Sequence, residues 1–480
     1  MRTWVLLVVV VSWSAAAQEA VDAGAPAEVV VPPVDAGVAS LGFDVVQGPW
    51  GPGRKSSGEL FHSMAVPLDE GPLRWRTGDF SFGVGLQYFA RAEARNDQDF
   101  STTARDFAFG IDHRARVSAR GSAFGKVGVL VELQDVRSFG AEPSTAALLS
   151  SVGAHQAFAD VKFGWLDLRV GRQELSYGED RLIGNLDWAQ TARAFDGVFL
   201  RATLPAGVTI DGFGMLVRPP AFFTDSAGSR FQNSGTYFTG VYARYRHGKA
   251  GVDAYALGLL EDPSTAATGF RADHNRLTLG ARGLLPIGPV LLLGEGALQT
   301  GITSAKERIL AGAFAGRATY TLPNSGFYVF AELAAATGDG APGDGVDSTF
   351  NQLFPTGHAH LGFMDYAAWQ NVVGARGTAG FKQPWLHVWL DVHHLRAWDP
   401  RGTWYTASGA VFIAADTART EPVMGNELDL SVTVPITGAF SAAGAFGVFF
   451  PGGMAAVQPS GVGRGTAPST WGFLSLRAQL

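Results

Sequence analysis

Residues 80–95 read FSFGVGLQYFARAEAR. The string alternates with a period of two. Phe80, Phe82, Val84, Leu86, Tyr88, Ala90, Ala92 and Ala94 share one face, and Gln87, Arg91, Glu93 and Arg95 share the other. Side chains two apart line one side of a strand, so this stretch is a β-strand with one apolar and one charged face. The next segment repeats it: Phe107, Phe109, Ile111, Ala115, Val117 and Ala119 oppose Asp106, Asp112, Arg114, Arg116 and Arg120. In a soluble sandwich the apolar face is the core and the charged face meets water. In a transmembrane barrel the apolar face meets lipid and the charged face lines a lumen. One strand fits either arrangement.

The connections separate the two. Strands are predicted to start near 80, 106, 123, 155, 166, 193, 208, 237, 251, 275, 290, 309, 326, 368, 386, 425, 439 and 469, about eighteen in all. Short turns, such as Gly121-Ser122, Gly164-Trp165 and Pro205 to Gly207, alternate with long connections, such as 136–154, 174–192, 338–366 and 396–424. Outer-membrane barrels carry this asymmetry, with tight periplasmic turns and long outside loops. Closure leaves no strand edge, so every backbone donor and acceptor is paired inside lipid. The expected fold is therefore all-β: one transmembrane antiparallel barrel over residues 80–480, with both termini periplasmic. At its end Leu474, Leu476, Ala478 and Leu480 alternate with Phe473, Ser475, Arg477 and Gln479, a terminal strand of the same kind.

Composition agrees. Apolar residues make up 46% of the 480 and charged residues only 17%, yet no apolar run beyond the N-terminus reaches the length of a helical span. A net charge of −6 offers no basic field for nucleic acid. The absence of cysteine excludes thiol catalysis and Cys-ligated zinc. The N-terminus supplies an address. Met1-Arg2 is a positive start, Trp4 to Trp13 is apolar, and Ala15-Ala16-Ala17 precede Gln18, so residues 1–17 read as a secretory signal peptide. Residues 18–79, rich in Ala, Val, Pro and Gly, read as a periplasmic leader whose first part is a flexible linker.

About eighteen strands enclose a channel rather than a packed core. Its expected walls carry Arg91, Arg95, Arg114, Arg116, Arg120, Lys126 and Arg169, with Arg276 and Arg282 further on. Acids intersperse: Glu93, Asp112, Glu132, Glu295, Glu332, Asp391, Glu427 and Asp429. Guanidiniums offer planar donor forks to carboxylates, which suits an anionic solute. Alternatively the charges pair across neighbouring strands and stiffen the wall.

Several segments resemble the alginate-export family of outer-membrane barrels. They are Gly171-Arg172-Gln173-Glu174-Leu175-Ser176-Tyr177-Gly178 with Arg181-Leu182-Ile183-Gly184, then Trp188-Ala189-Gln190-Thr191 and Phe195-Asp196-Gly197-Val198. A second block runs Leu353-Phe354-Pro355-Thr356-Gly357-His358, Gly362-Phe363-Met364-Asp365-Tyr366 and Trp369-Gln370-Asn371. Later come Leu390-Asp391-Val392-His393, Gly425-Asn426-Glu427-Leu428-Asp429-Leu430 and Phe449-Phe450-Pro451-Gly452. The resemblance implies a porin-like exporter of an anionic exopolysaccharide such as alginate. Arg172, Glu174, Arg181, Arg193, Asp196, Asp365 and His393 are its motif positions, and they are expected along the translocation path.

Other chemistry finds little support. His358 and His360 lie in a long connection, and His393 and His394 face opposite sides of a strand, so no metal site is expected. The Gly/Asp run 338–347 lacks the spacing of a helical-hand calcium loop. No Gly-x-Ser-x-Gly elbow occurs. The chain is thus expected to be a passive channel and not an enzyme, with no cofactor. Its expected partners are an anionic polysaccharide, outer-membrane lipid and periplasmic export proteins. A general or anion-selective porin for small solutes is the alternative, and an outer-membrane hydrolase the third reading. The long connections 174–192 and 338–366 are the expected constriction elements.

Overall fold

A computed structural model describes residues 73–479, apart from 104–105, 141–150, 219–220, 225–229, 234, 263, 266–269, 272–273, 438, 457–460 and 462. The expected signal peptide and most of the expected leader lie outside the described residues. Eighteen antiparallel strands form one closed sheet. They are β1 Phe80–Asn96, β2 Phe107–Ala123, β3 Val127–Gly140, β4 Ser151–Phe163, β5 Leu166–Gln173, β6 Phe195–Leu204, β7 Val208–Arg218, β8 Gly235–His247 and β9 Ala250–Asp262. Then follow β10 His274–Ile287, β11 Val290–Ile302, β12 Arg308–Thr321, β13 Phe327–Ala336, β14 Val372–Gln383, β15 Leu386–Arg396, β16 Val423–Pro435, β17 Phe440–Pro451 and β18 Ser469–Gln479. Each pairs with the next, and β18 pairs with β1 from Gln87↔Gln479 to Asn96↔Thr470. There is no α-helix among the described residues.

Every expected strand is present, and the alternation assigns the faces correctly. Outward residues are apolar and exposed: Leu86, Ile111, Val117, Leu133, Leu298, Leu333 and Leu474. On β1 and β2 the inward residues are charged and enclosed, Arg91, Glu93, Asp112 and Arg114 among them, while other strands also turn buried aromatics inward, such as Phe199, Phe213, Tyr255 and Trp471. The strand boundaries differ in places for local reasons. The turn expected at Gly121-Ser122 falls later, because Phe124 (φ 57°) and Gly125 (φ 62°) form the tight hairpin bend. The Lys126 N–H closes that bend on the Ala123 carbonyl at 3.0 Å. Both central residues of such a turn need positive φ, which glycine gives freely and Phe124 reveals in no sequence pattern. Lys126 consequently sits exposed in the turn and not in the lumen wall. Pairing also begins before Phe80: a short strand, Leu73–Thr77, runs antiparallel to the start of β1.

The second departure is inside the barrel. Connections at the long-loop end fold into the lumen and meet there. The connection 174–194 joins the connection 337–371 through an isolated parallel bridge, Ile183↔Phe354. The Thr356 N–H bonds the Asp180 carbonyl at 2.8 Å, and Arg193 donates to the carbonyls of Gly184 (3.2 Å) and Pro355 (3.0 Å). A third connection, 397–422, caps them. The Trp404 indole N–H donates to the Tyr366 carbonyl at 2.5 Å. Phe100, Tyr366, Phe412 and Phe449 pack around Trp404, with Phe100 stacked on Phe449 at 5.4 Å. These loop aromatics extend a buried cluster to which the wall itself contributes Phe199, Phe213, Phe238, Tyr255, Trp471 and Phe473.

Candidate functional site

The site forms where the connection 174–194 meets the wall. Alternation on β1, β2 and β18 turns Arg91, Arg114, Arg116 and Arg477 inward, and all but Arg477 are almost fully buried. Three of them converge on one loop carboxylate. Asp187 Oδ1 accepts from Arg114 at 2.9 Å and Arg116 at 3.3 Å, and its Oδ2 accepts from Arg477 at 3.1 Å. The neighbouring Trp188 lies flat beneath the fourth: the Arg91 guanidinium sits 3.6 Å from its ring centroid and donates to its carbonyl at 2.9 Å. His358, from the other in-folded connection, stacks on the same indole at 4.3 Å. Guanidinium stacking and charge pairing together hold this contact.

The same connection reaches the far wall. Arg181 donates to Glu332 on β13 at 2.5 Å, and Glu179 pairs with Arg317 on β12. In the ring of strands β13 lies nearly opposite β5, where the connection begins, so this segment spans the bore. Its root is Glu174, whose carboxylate meets the His155 ring at 2.7 Å and the Asn185 amide at 3.1 Å. Burial pushes the Asp180 carboxyl up to about 7, against the Ser176 hydroxyl that donates to it. Burial likewise lowers the Arg193 guanidinium to about 10 and holds the His360 ring well below its usual value.

The remaining expected residues divide. Arg95 bonds Glu93 at 2.9 Å and lies 3.7 Å from Asp365, while Asp112 accepts from Arg91 at 3.3 Å and from Ser138 at 2.7 Å. Arg116 stands 3.9 Å from Glu132, and Arg169 lies over the Phe158 ring at 4.0 Å. Arg120 is half-buried on β2 toward the short-turn end. Asp365 accepts from His358 at 2.9 Å, and His393 faces Asp429 at 3.8 Å inside the barrel. Arg172 and Asp196 require correction. They form a 2.7 Å ion pair across β5 and β6 on the outer wall, where both are exposed, and not on an inner path. The alternation that turns Arg169 inward necessarily turns Arg172 outward.

Sequence reasoning missed Asp187, Arg477, His155 and the buried pair Arg201–Asp211, in which both carboxylate oxygens are held, at 2.6 and 2.7 Å. The dyad of β18 carries the signal for Arg477, and that of β6 the signal for Arg201. Asp187 lies in a segment without any period.

The barrel is similar in fold to outer-membrane proteins of Pseudomonas aeruginosa. OccK9 (OpdG) aligns with a TM-score of 0.55 at 13% identity, covering 83% of this chain and 98% of that one. OccK5 (OpdH) gives 0.54 at 12% identity over 83% and 98%. The outer membrane protein opdK gives 0.54 at 11% identity over the same shares. No curated protein matches the chain by sequence. The profile of the alginate export family matches residues 80–462, the whole barrel short of its last strand. With its eighteen strands, its inward charges and this match, the chain belongs to the alginate export family of outer-membrane channels.

Proposed function

We propose that the barrel exports an anionic exopolysaccharide such as alginate, and that Asp187 occupies the path until carboxylates of the polymer take its place. The observation that carries this reading is the convergence of Arg114, Arg116 and Arg477 on Asp187. A guanidinium fork accepts a sugar carboxylate with the same geometry as an aspartate. Acids beside the arginines, Glu93, Asp112 and Glu132, keep a passing chain from binding too tightly, since conduction needs weak and repeated sites. The protein supplies a path and a gate, and no bond is made or broken. The short turns and both termini face the periplasm, where a polymer and its export proteins arrive, and the lipid face holds the barrel in the outer membrane.

Single-channel recording tests the proposal. Oligouronates added on the short-turn side are expected to block the current in discrete, voltage-dependent events, while neutral oligosaccharides of equal length leave it unchanged. A channel that passes small organic anions and ignores oligouronates would be a small-solute porin, and export would be excluded. Turnover of lipid or glycan by the refolded barrel would exclude the passive channel altogether.

A further inference from the structure

We infer that the lumen wall carries a binding site for a divalent transition-metal ion, formed by Glu132, His155 and Glu174. The three side chains are buried, and one ligand atom from each lies within 4.8 Å of the others. Glu132 comes from β3, His155 from β4, and Glu174 from the first position beyond β5. Nothing in the sequence spacing announces the site, because adjacency across three strands brings the residues together.

The fold goes out of its way to put His155 there. Between β3 and β4 the register shifts: Glu132 pairs with Gln156 and Leu133 with Ala154, which leaves His155 as an extra residue. Counting back from inward Phe158 and Asp160, strict alternation assigns His155 to the lipid face with Ala157 and Ala159. The bulge reverses that and aims the ring into the lumen. Bulges of this kind re-aim one side chain at the cost of a ladder position, and they cluster at functional sites.

The surroundings orient the ligands as metal sites require. Gln156 donates to Glu132 at 3.4 Å and accepts the Glu174 backbone N–H at 3.3 Å. Asn185 holds the second oxygen of Glu174 at 3.1 Å, leaving the first toward His155. Arg116 lies 3.9 Å from each carboxylate. It also donates to Gln134 at 2.6 Å, Asp187 at 3.3 Å and Gln87 at 3.4 Å, and its positive charge weakens the affinity of the site for a metal ion. One imidazole nitrogen with two carboxylate oxygens suits Zn2+ and its neighbours in the transition series, while Ca2+ and Mg2+ take oxygen alone. Bound there, the ion joins the root of the in-folded connection to two wall strands.

The test uses the full, untagged chain refolded in detergent and titrated with Co2+ as an optical probe. One saturable equivalent with visible d–d absorption, displaced by Zn2+, is expected. His155→Ala and Glu132→Gln are each expected to abolish that absorption and weaken binding about tenfold or more. His394→Ala, on the outer face, is expected to retain both. X-ray absorption on the zinc-loaded unaltered chain needs no variant to fold, and should give a first shell with one imidazole and carboxylate oxygens. Absence of stoichiometric binding, a first shell with no imidazole or with several, or unchanged Co2+ absorption in a folded His155→Ala chain would each overturn the site.

Discussion

Asp187 is a single carboxylate held by three guanidiniums, and its removal tests the proposed gate separately from the barrel wall. Asp187→Ala is expected to raise single-channel conductance several-fold and to make oligouronate block tighter, because the arginines are then vacant for the polymer. The barrel wall should be unaffected, checked by its heat-modifiable migration on gels. A second residue in the same segment couples it to pH. Asp180 titrates near 7 in the in-folded connection against 3.8 ordinarily, so the folded-in state retains a proton that a solvated segment gives up. Its contribution to closure is complete below about pH 4, declines above that, and is gone once the pH passes about 7. Open probability is therefore expected to be higher at about pH 8 than at about pH 5, and Asp180→Asn should flatten that dependence.

Among the elements, the strands carry the most legible information. Lipid and lumen impose opposite demands on alternate positions, so a period of two states which face is which. Leu86→Arg on β1 tests the assignment: a charge at mid-strand on the lipid face is expected to cost about 2–4 kcal/mol, read from unfolding in urea. The pair Arg201–Asp211, linking β6 and β7, tests the inner face. Arg201 and Asp211 are fully enclosed, and Arg244 and Tyr177 also bond Asp211, at 3.0 Å each. Asp211→Ala leaves guanidiniums buried without it and should destabilise the barrel by about 3–5 kcal/mol. What the sequence hides are departures from period. Phe124 takes a backbone shape usually left to glycine, which carries Lys126 into a turn. His155 is inverted by one extra residue. Asp187 and Trp188 sit in a connection whose contacts depend on which walls face each other across the bore, and no local pattern encodes that.

For the whole molecule, the motif blocks quoted from the sequence divide by location. Glu174, Arg181 and Arg193 hold the in-folded segments together, whereas Arg172 and Asp196 brace the outer surface. A resemblance by string cannot distinguish these roles, since inward and outward residues alternate within each block. On the proposed reading, selectivity belongs to the assembled ring. Replacing Arg114 and Arg116 together by Ala is expected to reduce anion preference while the barrel stays folded, measured as reversal potential in a salt gradient. The seam between the first and last strands has a consequence for biogenesis. Asn96 meets Thr470 only after nearly the entire polypeptide has been made. Until then two raw strand margins stand ready to zip onto any neighbour. A message truncated before codon 469 thus yields no smaller pore, only an open curl fated for aggregation or proteolysis.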